Sequence, residues 1–446
     1  MRLRFCAFSL GLLLLASSGL SIQAQQSSQA QSNKDKFTFG EVDLELLKET
    51  NIVDQKMEKS GSIYDEPALN IYLDTLTKEL IPTENLENVT WKFRILSDPE
   101  VNAFALPNGS IYIHAGLLAQ LENESQLVSV LAHEIIHVRN RHSYLAFRSY
   151  RKKALAVNIA GILDGYAGQL VSLLMVTSVT GHSRELEREA DEEGFNLLVN
   201  AKHNPRGMAG AFKSLLKKYD VDLSIQIPFW RTHPKLEERI KYTEESIAKN
   251  KLEEFSAEAV KAEQTRYEAL TETVTRSDVK FAVEEGFYRT AIAHAQRLVK
   301  DHPDSAANIT ALADAYAGLG PRPMEPTAKE LTGGGKREAR KMQSRFLLDE
   351  ATKKLFDAPG GKELQTQNFT KAEEFYLKAI AIAENYALAH RGLAELYAKQ
   401  QFSEKAAAEY RKYVELQPGA SDRLLIMRRI KNLEANQPVP EGGQKN

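Results

Sequence analysis

The chain has 446 residues, 43% hydrophobic and 26% charged, the balance of a globular protein with room for two or three domains. Lys and Arg number 58 against 60 Asp and Glu, so charge points to neither nucleic acid nor an anionic lipid surface as a partner. Cys6 is the only cysteine and falls in a segment read below as removed on export, so disulfides are excluded as the mature chain's support.

Arg2 and Arg4 precede the apolar run Phe5–Leu15, and Ser21-Ile22-Gln23-Ala24 resembles a cleavage region. Residues 1–24 therefore read as a signal peptide, with a cut after Ala30 as the second choice. An N-terminal membrane anchor is the alternative, but the run is shorter than the ~20 residues a span needs. Cys6 has no lipobox around it. Export without cysteines suits a bacterial periplasm. Residues 25–36 form a Gln/Ser-rich, flexible leader.

From Phe37 to about Ile81 the pattern is helical. Val89–Leu96 alternates apolar and polar residues and predicts a strand; Asn102–Leu106 and Ile111–Ile113 predict two more, joined by the turn Pro107-Asn108-Gly109-Ser110. A helix follows, N-capped by Asn123 with Gln126 three residues on, and running to about Arg141. Val128, Leu131, Ile135 and Val138 form its apolar stripe. The apolar stretch 154–180 is broken at Asp164-Gly165 and Gly168-Gln169 and reads as a helical hairpin or lid, with peripheral membrane contact as the alternative. His182–Val199 is helical, and 251–276 is a charged helical connector.

The last third, 277–436, repeats. In Ala387–Ala420, Leu393, Ala394, Tyr397, Ala406, Tyr410 and Pro418 fall at the positions of a 34-residue tetratricopeptide helix pair. Ala372 and Tyr376 match one period earlier; Ala291, Ala295 and Pro303, then Leu312, Ala313 and Tyr316, fit further helices. Gly320–Gly335 interrupts the array, and an irregular helical bundle is the alternative. Residues 437–446 read as a flexible tail.

Chemistry concentrates in His133-Glu134-Ile135-Ile136-His137. Side chains four apart on a helix point the same way, so two imidazoles can converge on one metal with Glu134 beside its open position, able to accept a proton from water. Two histidines on a surface helix are the bland alternative. The extended pattern with a third histidine is absent: position 140 is Asn, 143 is Ser, and His142 is one residue out of register. Ser183–Asp191 offers a carboxylate instead, because Glu187 and Asp191 are again four apart. One could bind the metal while the other orients a ligand imidazole, against the alternative of solvated acidic residues.

These residues resemble the zinc metallopeptidase family of the CAAX-prenyl protease and the HtpX heat-shock protease. The resemblance rests on HEIIH, on Ser183-Arg184 followed by Glu187 and Ala190-Asp191, on Asn102-Ala103-Phe104-Ala105 with Gly109, and on Thr232-His233-Pro234 with Arg239-Ile240. It covers about 37–250 and implies a zincin-like domain with a small sheet. It also implies one zinc ion per chain held by His133, His137 and Glu187, with Glu185 and Glu189 offset from the ligand position. The chain is then α+β, mainly α, with the peptidase domain followed by an α-solenoid of tetratricopeptide repeats. An export signal and such repeats make it similar to periplasmic members of that family. The expected activity is zinc-dependent endopeptidase action on misfolded or unassembled envelope proteins.

Under that reading Glu134 is the catalytic base and Asp191 orients a ligand. His233 stabilises the oxyanion, occupies the metal at rest, or merely packs. Asn102, Ala103, Phe104 and Ala105 form either an edge strand that takes an extended substrate or an ordinary core strand. The repeats would bind partners, outer-membrane assembly machinery among them. The rival class is a periplasmic chaperone or scaffold working through its repeat groove, with zinc only structural.

Overall fold

The computed structural model describes residues 37–83, 85–156, 182–221, 236–250, 252, 254–320 and 361–435. The predicted signal peptide (1–24), leader (25–36) and tail (437–446) lie outside the described residues, as do Thr232-His233-Pro234 and all of 154–180 beyond Ala156. The chain divides into a unit ending at Glu45 and a unit from Leu46 onward. In the first, Phe37 and Phe39 meet edge to face at 5.0 Å, and the Gly40 N–H donates to Asp43 at 2.8 Å. The remainder concerns the second.

The N-terminal helical stretch is two helices, α1 (Glu41–Lys59) and α2 (Pro67–Lys78), parted at Ser60-Gly61, where Gly61 adopts a φ of 76°. Pro67 opens α2, a position that needs no N–H donor. The strands are β1 (Lys92–Leu96), β2 (Ala103–Ala105) and β3 (Ser110–His114). β1 starts three residues later than its alternation suggests. The sheet order is β1-β3-β2, with β1 parallel and β2 antiparallel to β3. β2 is therefore an edge. The Leu106 N–H bonds to the Ser110 carbonyl and the His114 N–H to the Asn102 carbonyl, so even-numbered residues pair with β3. The main-chain groups of Ala103 and Ala105 point the other way, off the free side.

After the short α3 (Ala115–Gln120) comes α4 (Glu124–Arg139), which carries the HEIIH motif. Asn123 caps it, accepting from the Gln126 N–H at 3.0 Å; the Gln126 side chain reaches back to the Glu122 N–H at 3.0 Å. The apolar stripe alone predicts a half-buried helix. Instead every residue from Glu124 to Val138 is buried, because the helix is surrounded. β2 and α2 pack on it. α5 (His142–Ala156), α6 (Arg184–Asn200) and α7 (Arg206–Val221) also pack on it, with α8 (Leu236–Asn250) behind α6 and α7. At Gly207 a Cβ would sit 2.2 Å from the Ser125 carbonyl oxygen, so glycine sets how closely α7 crosses α4.

The charged connector is α9 (Ala257–Glu285), 29 residues long and unbroken past Arg276. Ser256 caps its start, and Gly286, at φ 83°, ends it. Tyr267 and Val274 belong to the core around α4, whereas Val279 and Ala282 belong to a second core. That core is built by α10 (Tyr288–Asp301), α11 (Ala306–Leu319), α12 (Gly361–Ile382) and α13 (Ala387–Lys399); α14 (Ser403–Leu416) and α15 (Arg423–Ala435) extend it. Each helix packs on the next along the chain among these described elements. Ala291, Ala295, Ala313, Ala372, Leu393, Ala394 and Ala406 are fully buried, which lets neighbouring helices approach closely. Among the described residues no helix is long and apolar enough to cross a membrane.

Candidate metal centre

α4 and α6 together supply the donors. His133 and His137 lie one turn apart on α4, and their Nε2 atoms are 2.9 Å from each other. Glu187, in the first turn of α6, places one carboxylate oxygen 3.5 Å from His133 Nε2 and the other 3.5 Å from His137 Nε2. All three residues are 2–3% exposed. Their donor atoms lie within 4.8 Å of one another. Ligands about 2.0–2.1 Å from a tetrahedral divalent ion sit about 3.3–3.4 Å apart. The two His–Glu separations match that spacing, and the His–His pair is somewhat closer.

His133 is in the chemical state a metal needs. Burial holds His133 below the usual imidazole range and so favours its neutral form, although Asp191 opposes this. Its Nδ1 lies 2.9 Å from Asp191 Oδ1. Burial works against an anion at Asp191, but Arg239 and then His133 hold its carboxyl well below the usual range. An ionised carboxylate can only accept, so Nδ1 carries the proton and Nε2 turns its lone pair to the centre. Arg239, from α8, grips Asp191 through Nε at 2.7 Å and Nη2 at 2.6 Å, places Nη1 3.5 Å from Glu187, and lies over the Phe212 ring. The Tyr242 hydroxyl also donates to Asp191. Asp191 thus faces two cationic or donor groups behind the ligand, not the ion's position.

His137 has a different support. Its Nδ1 is 2.9 Å from His142 Nδ1, and His142 Nε2 faces Glu189 at 3.7 Å. Arg141, with φ 58°, turns the chain between α4 and α5 and brings His142 back onto His137. The His182 ring stacks on His137 at 4.1 Å. Glu185 is exposed, and Glu189 accepts from the Asn140 side chain at 2.7 Å; neither joins the donor cluster.

Glu134 is 2% exposed on the same helix and accepts a hydrogen bond from the Ala105 N–H on the free side of β2. Burial, with Glu187 adding to it, pushes Glu134 up to about 8. Burial also pushes Glu187 up to about 7, against the pull of His133 and Arg239. A cation held by the cluster favours the ionised form of both. Of the residues expected to meet an extended substrate, Asn102, Ala103 and Ala105 are buried and Phe104 is partly exposed, stacked on Tyr112 at 5.4 Å. His233 lies outside the described residues. Three supports have no role assigned from sequence: Arg239, which enters only as a motif residue, Tyr242, three residues after it, and His142, which is out of register for a ligand.

Residues 67–247 match the family model for peptidase family M48, in agreement with the resemblance drawn from the motifs. The mitochondrial metalloendopeptidase OMA1 of Schizosaccharomyces pombe is 28% identical over 220 residues, 48% of this chain and 64% of its own. The putative beta-barrel assembly-enhancing protease of Vibrio cholerae is 32% identical over 197 residues, 41% of this chain and 40% of its own. The beta-barrel assembly-enhancing protease of Escherichia coli is 28% identical over 173 residues, 36% of each chain. The chain thus spans less than two thirds of the length of these curated relatives.

Proposed function

Residues 67–247 being a peptidase family M48 domain, we propose that the chain is a zinc-dependent endopeptidase that cuts extended segments of misfolded or unassembled envelope proteins in the periplasm. The observation that carries the reading is the convergence of His133, His137 and Glu187 with Glu134 beside them, all four side chains buried. Two imidazoles and one carboxylate are the donor set of catalytic zinc sites that keep a position open. A zinc ion held there supplies a Lewis acid that acidifies water and polarises a carbonyl.

The chain's own residues do the rest. An extended substrate adds to the free side of β2, bonding to main-chain groups of Ala103 that β3 leaves unused. Ala105 ties the same edge to Glu134. Glu134 accepts a proton from the attacking water and returns it to the leaving amine. Asp191 and Arg239 hold His133 in the productive tautomer, and His142 holds His137. His233 stabilises the oxyanion. The helix pairs from α10 onward serve as tetratricopeptide repeats that bind partners, outer-membrane assembly proteins among them. The buried alanines at the repeat positions support that assignment. The names of the relatives from Vibrio cholerae and Escherichia coli support the envelope setting.

The test is Glu134→Gln in the full chain, with zinc content and casein cleavage measured together. Retained zinc with cleavage reduced by orders of magnitude is expected. Cleavage by the variant at the wild-type rate would remove Glu134 as the base, and only a wild type that binds zinc without cleaving would leave the scaffold reading, with a structural metal, in its place.

A further inference from the structure

A second group of donors gathers where β3 ends. His114, the last residue of that strand, has a side chain only 7% exposed; Nε2 has no hydrogen-bond partner, and Nδ1 has only a long, poorly aligned contact to Asp98. A buried imidazole held that way loses most of its hydration without full replacement. Its polar neighbour is Asp98, whose Oδ1 lies 3.4 Å from His114 Nδ1. One ring nitrogen of His114 and one carboxylate oxygen each of Asp98 and Glu100 lie within 4.8 Å of one another. The Asp98 side chain is 41% exposed, so the group opens to solvent.

The backbone forces this meeting. At Gly116 a Cβ would lie 2.1 Å from the Pro99 carbonyl oxygen and 2.6 Å from that of Glu100. Only glycine lets the 98–100 segment lie against the start of α3. The Gly116 N–H donates to the Asp98 carbonyl at 3.0 Å, and the Glu100 N–H donates to Asp98 Oδ1 at 2.8 Å. Asp98 Oδ2 is not needed for either bond.

We propose that Asp98, Glu100 and His114 form a second divalent-cation site, separate from the centre on α4 and α6. Two carboxylates balance the charge of a dication. The single imidazole favours zinc or manganese over calcium and magnesium, which prefer all-oxygen shells. Partial exposure makes the site exchangeable and weaker than the buried centre. An ion there ties the 98–100 segment to β3. The His114 N–H already holds the Asn102 carbonyl at 3.0 Å, and Phe104 packs edge-on against the imidazole at 6.0 Å. The ion therefore also stiffens the entry into β2. The competing account is an ion pair between protonated His114 and Asp98 with no metal.

The two separate in a metal titration of the stripped full-length chain, using Zn2+ and Mn2+, with equilibrium dialysis and elemental analysis. The wild type should take up a second equivalent more weakly than the first. Asp98→Asn and His114→Gln should weaken that step by more than the ~10–100-fold expected for a change outside the ligand shell, and leave the first intact. Glu187→Ala should lose the first and keep the second. Amide exchange over residues 98–105 should slow with the second equivalent in the wild type and not in Asp98→Asn. Asp98 is exposed enough that its variant should fold even if His114→Gln does not, so it decides alone in that case. A single equivalent in the wild type, or a second one undiminished in Asp98→Asn, would overturn the proposal.

Discussion

His133 Nδ1 lies 2.9 Å from Asp191 Oδ1, and the same carboxylate is held by Arg239 through a fork at 2.6 and 2.7 Å. The ligand's orientation therefore depends on a buried ion pair that never touches the ion. Asp191→Asn keeps the shape and removes the charge, and metal affinity should fall about 10–100-fold, measured by competition with a chelator. Asp191→Ala additionally leaves buried Arg239 without its main counter-ion, which costs roughly 3–5 kcal/mol in denaturant unfolding. An unchanged affinity in the asparagine variant would mean that packing alone orients the ring.

The register of α6 decides which glutamate binds. Glu187 faces α4 and is 3% exposed, while Glu185 and Glu189, two residues either way, point elsewhere. Glu187→Ala should lose most of its bound metal. Glu185→Ala should keep it. Glu189→Ala should also keep it with a modest loss, because Glu189 stands behind His142 and accepts from Asn140. Equal losses across the three would contradict this register.

The helical spacing of His133 and His137, the capping residue Asn123 and a short strand at 103–105 could all be read from local pattern, because each depends on residues a few positions apart, whereas that strand's place at the edge comes only from the sheet order. Glu187 and Asp191 could be placed on one face for the same reason, and the motif resemblance chose between them and their neighbours. What local pattern could not reveal was support from a distance. Arg239 and Tyr242 sit in Glu237–Glu245, a run dense in charge with no local sign of burial; only the fold shows that one side of α8 closes over Asp191. His142 was out of step with any helical ligand pattern. It reaches His137 because Arg141 turns the chain, and a positive φ at an arginine carries no sequence signal. Full burial of α4 was likewise hidden, since Glu124, His133 and Glu134 find their partners far away in sequence.

Asp54 predicts a pH dependence of stability. Its buried carboxylate accepts from the Tyr112 hydroxyl at 2.7 Å and from Lys92 at 3.1 Å. Burial opposes ionisation, but these bonds outweigh it and hold the group below the usual carboxylate range. A depressed folded pKa gives stability that is present above the unfolded value, about 3.9. It is lost as pH falls through the folded one. Unfolding free energy should therefore drop on acidification below about pH 4. Asp54→Asn should flatten that slope and lower neutral-pH stability by about 1–3 kcal/mol, because the buried tyrosine hydroxyl loses a charged acceptor. An acid limb identical to wild type would assign the slope to other carboxylates.

Tyr267 tests whether α9 belongs to the peptidase half or merely leads away from it. Its ring is 1% exposed inside the core around α4, and its hydroxyl donates to the Leu118 carbonyl at 2.7 Å. One residue earlier, Arg266 grips Glu124 at 2.5 and 2.7 Å, and Glu124 in turn accepts from Tyr72 at 2.9 Å. The first turn of the helix that carries His133 and His137 is thus clamped from α9. Further along, Val279 and Ala282 pack in the second core, so one helix serves both. Tyr267→Ala should destabilise the chain by about 3–5 kcal/mol. Tyr267→Phe should cost roughly 1–3 kcal/mol by orphaning the Leu118 carbonyl. A chain ending after Glu285 should keep its fold and bound metal, whereas one ending before Ser256 should lose both. Thermal unfolding followed alongside metal release provides the readout. If the chain without α9 melted like the longer one and still retained metal, the helix would be a linker and the clamp on Glu124 incidental.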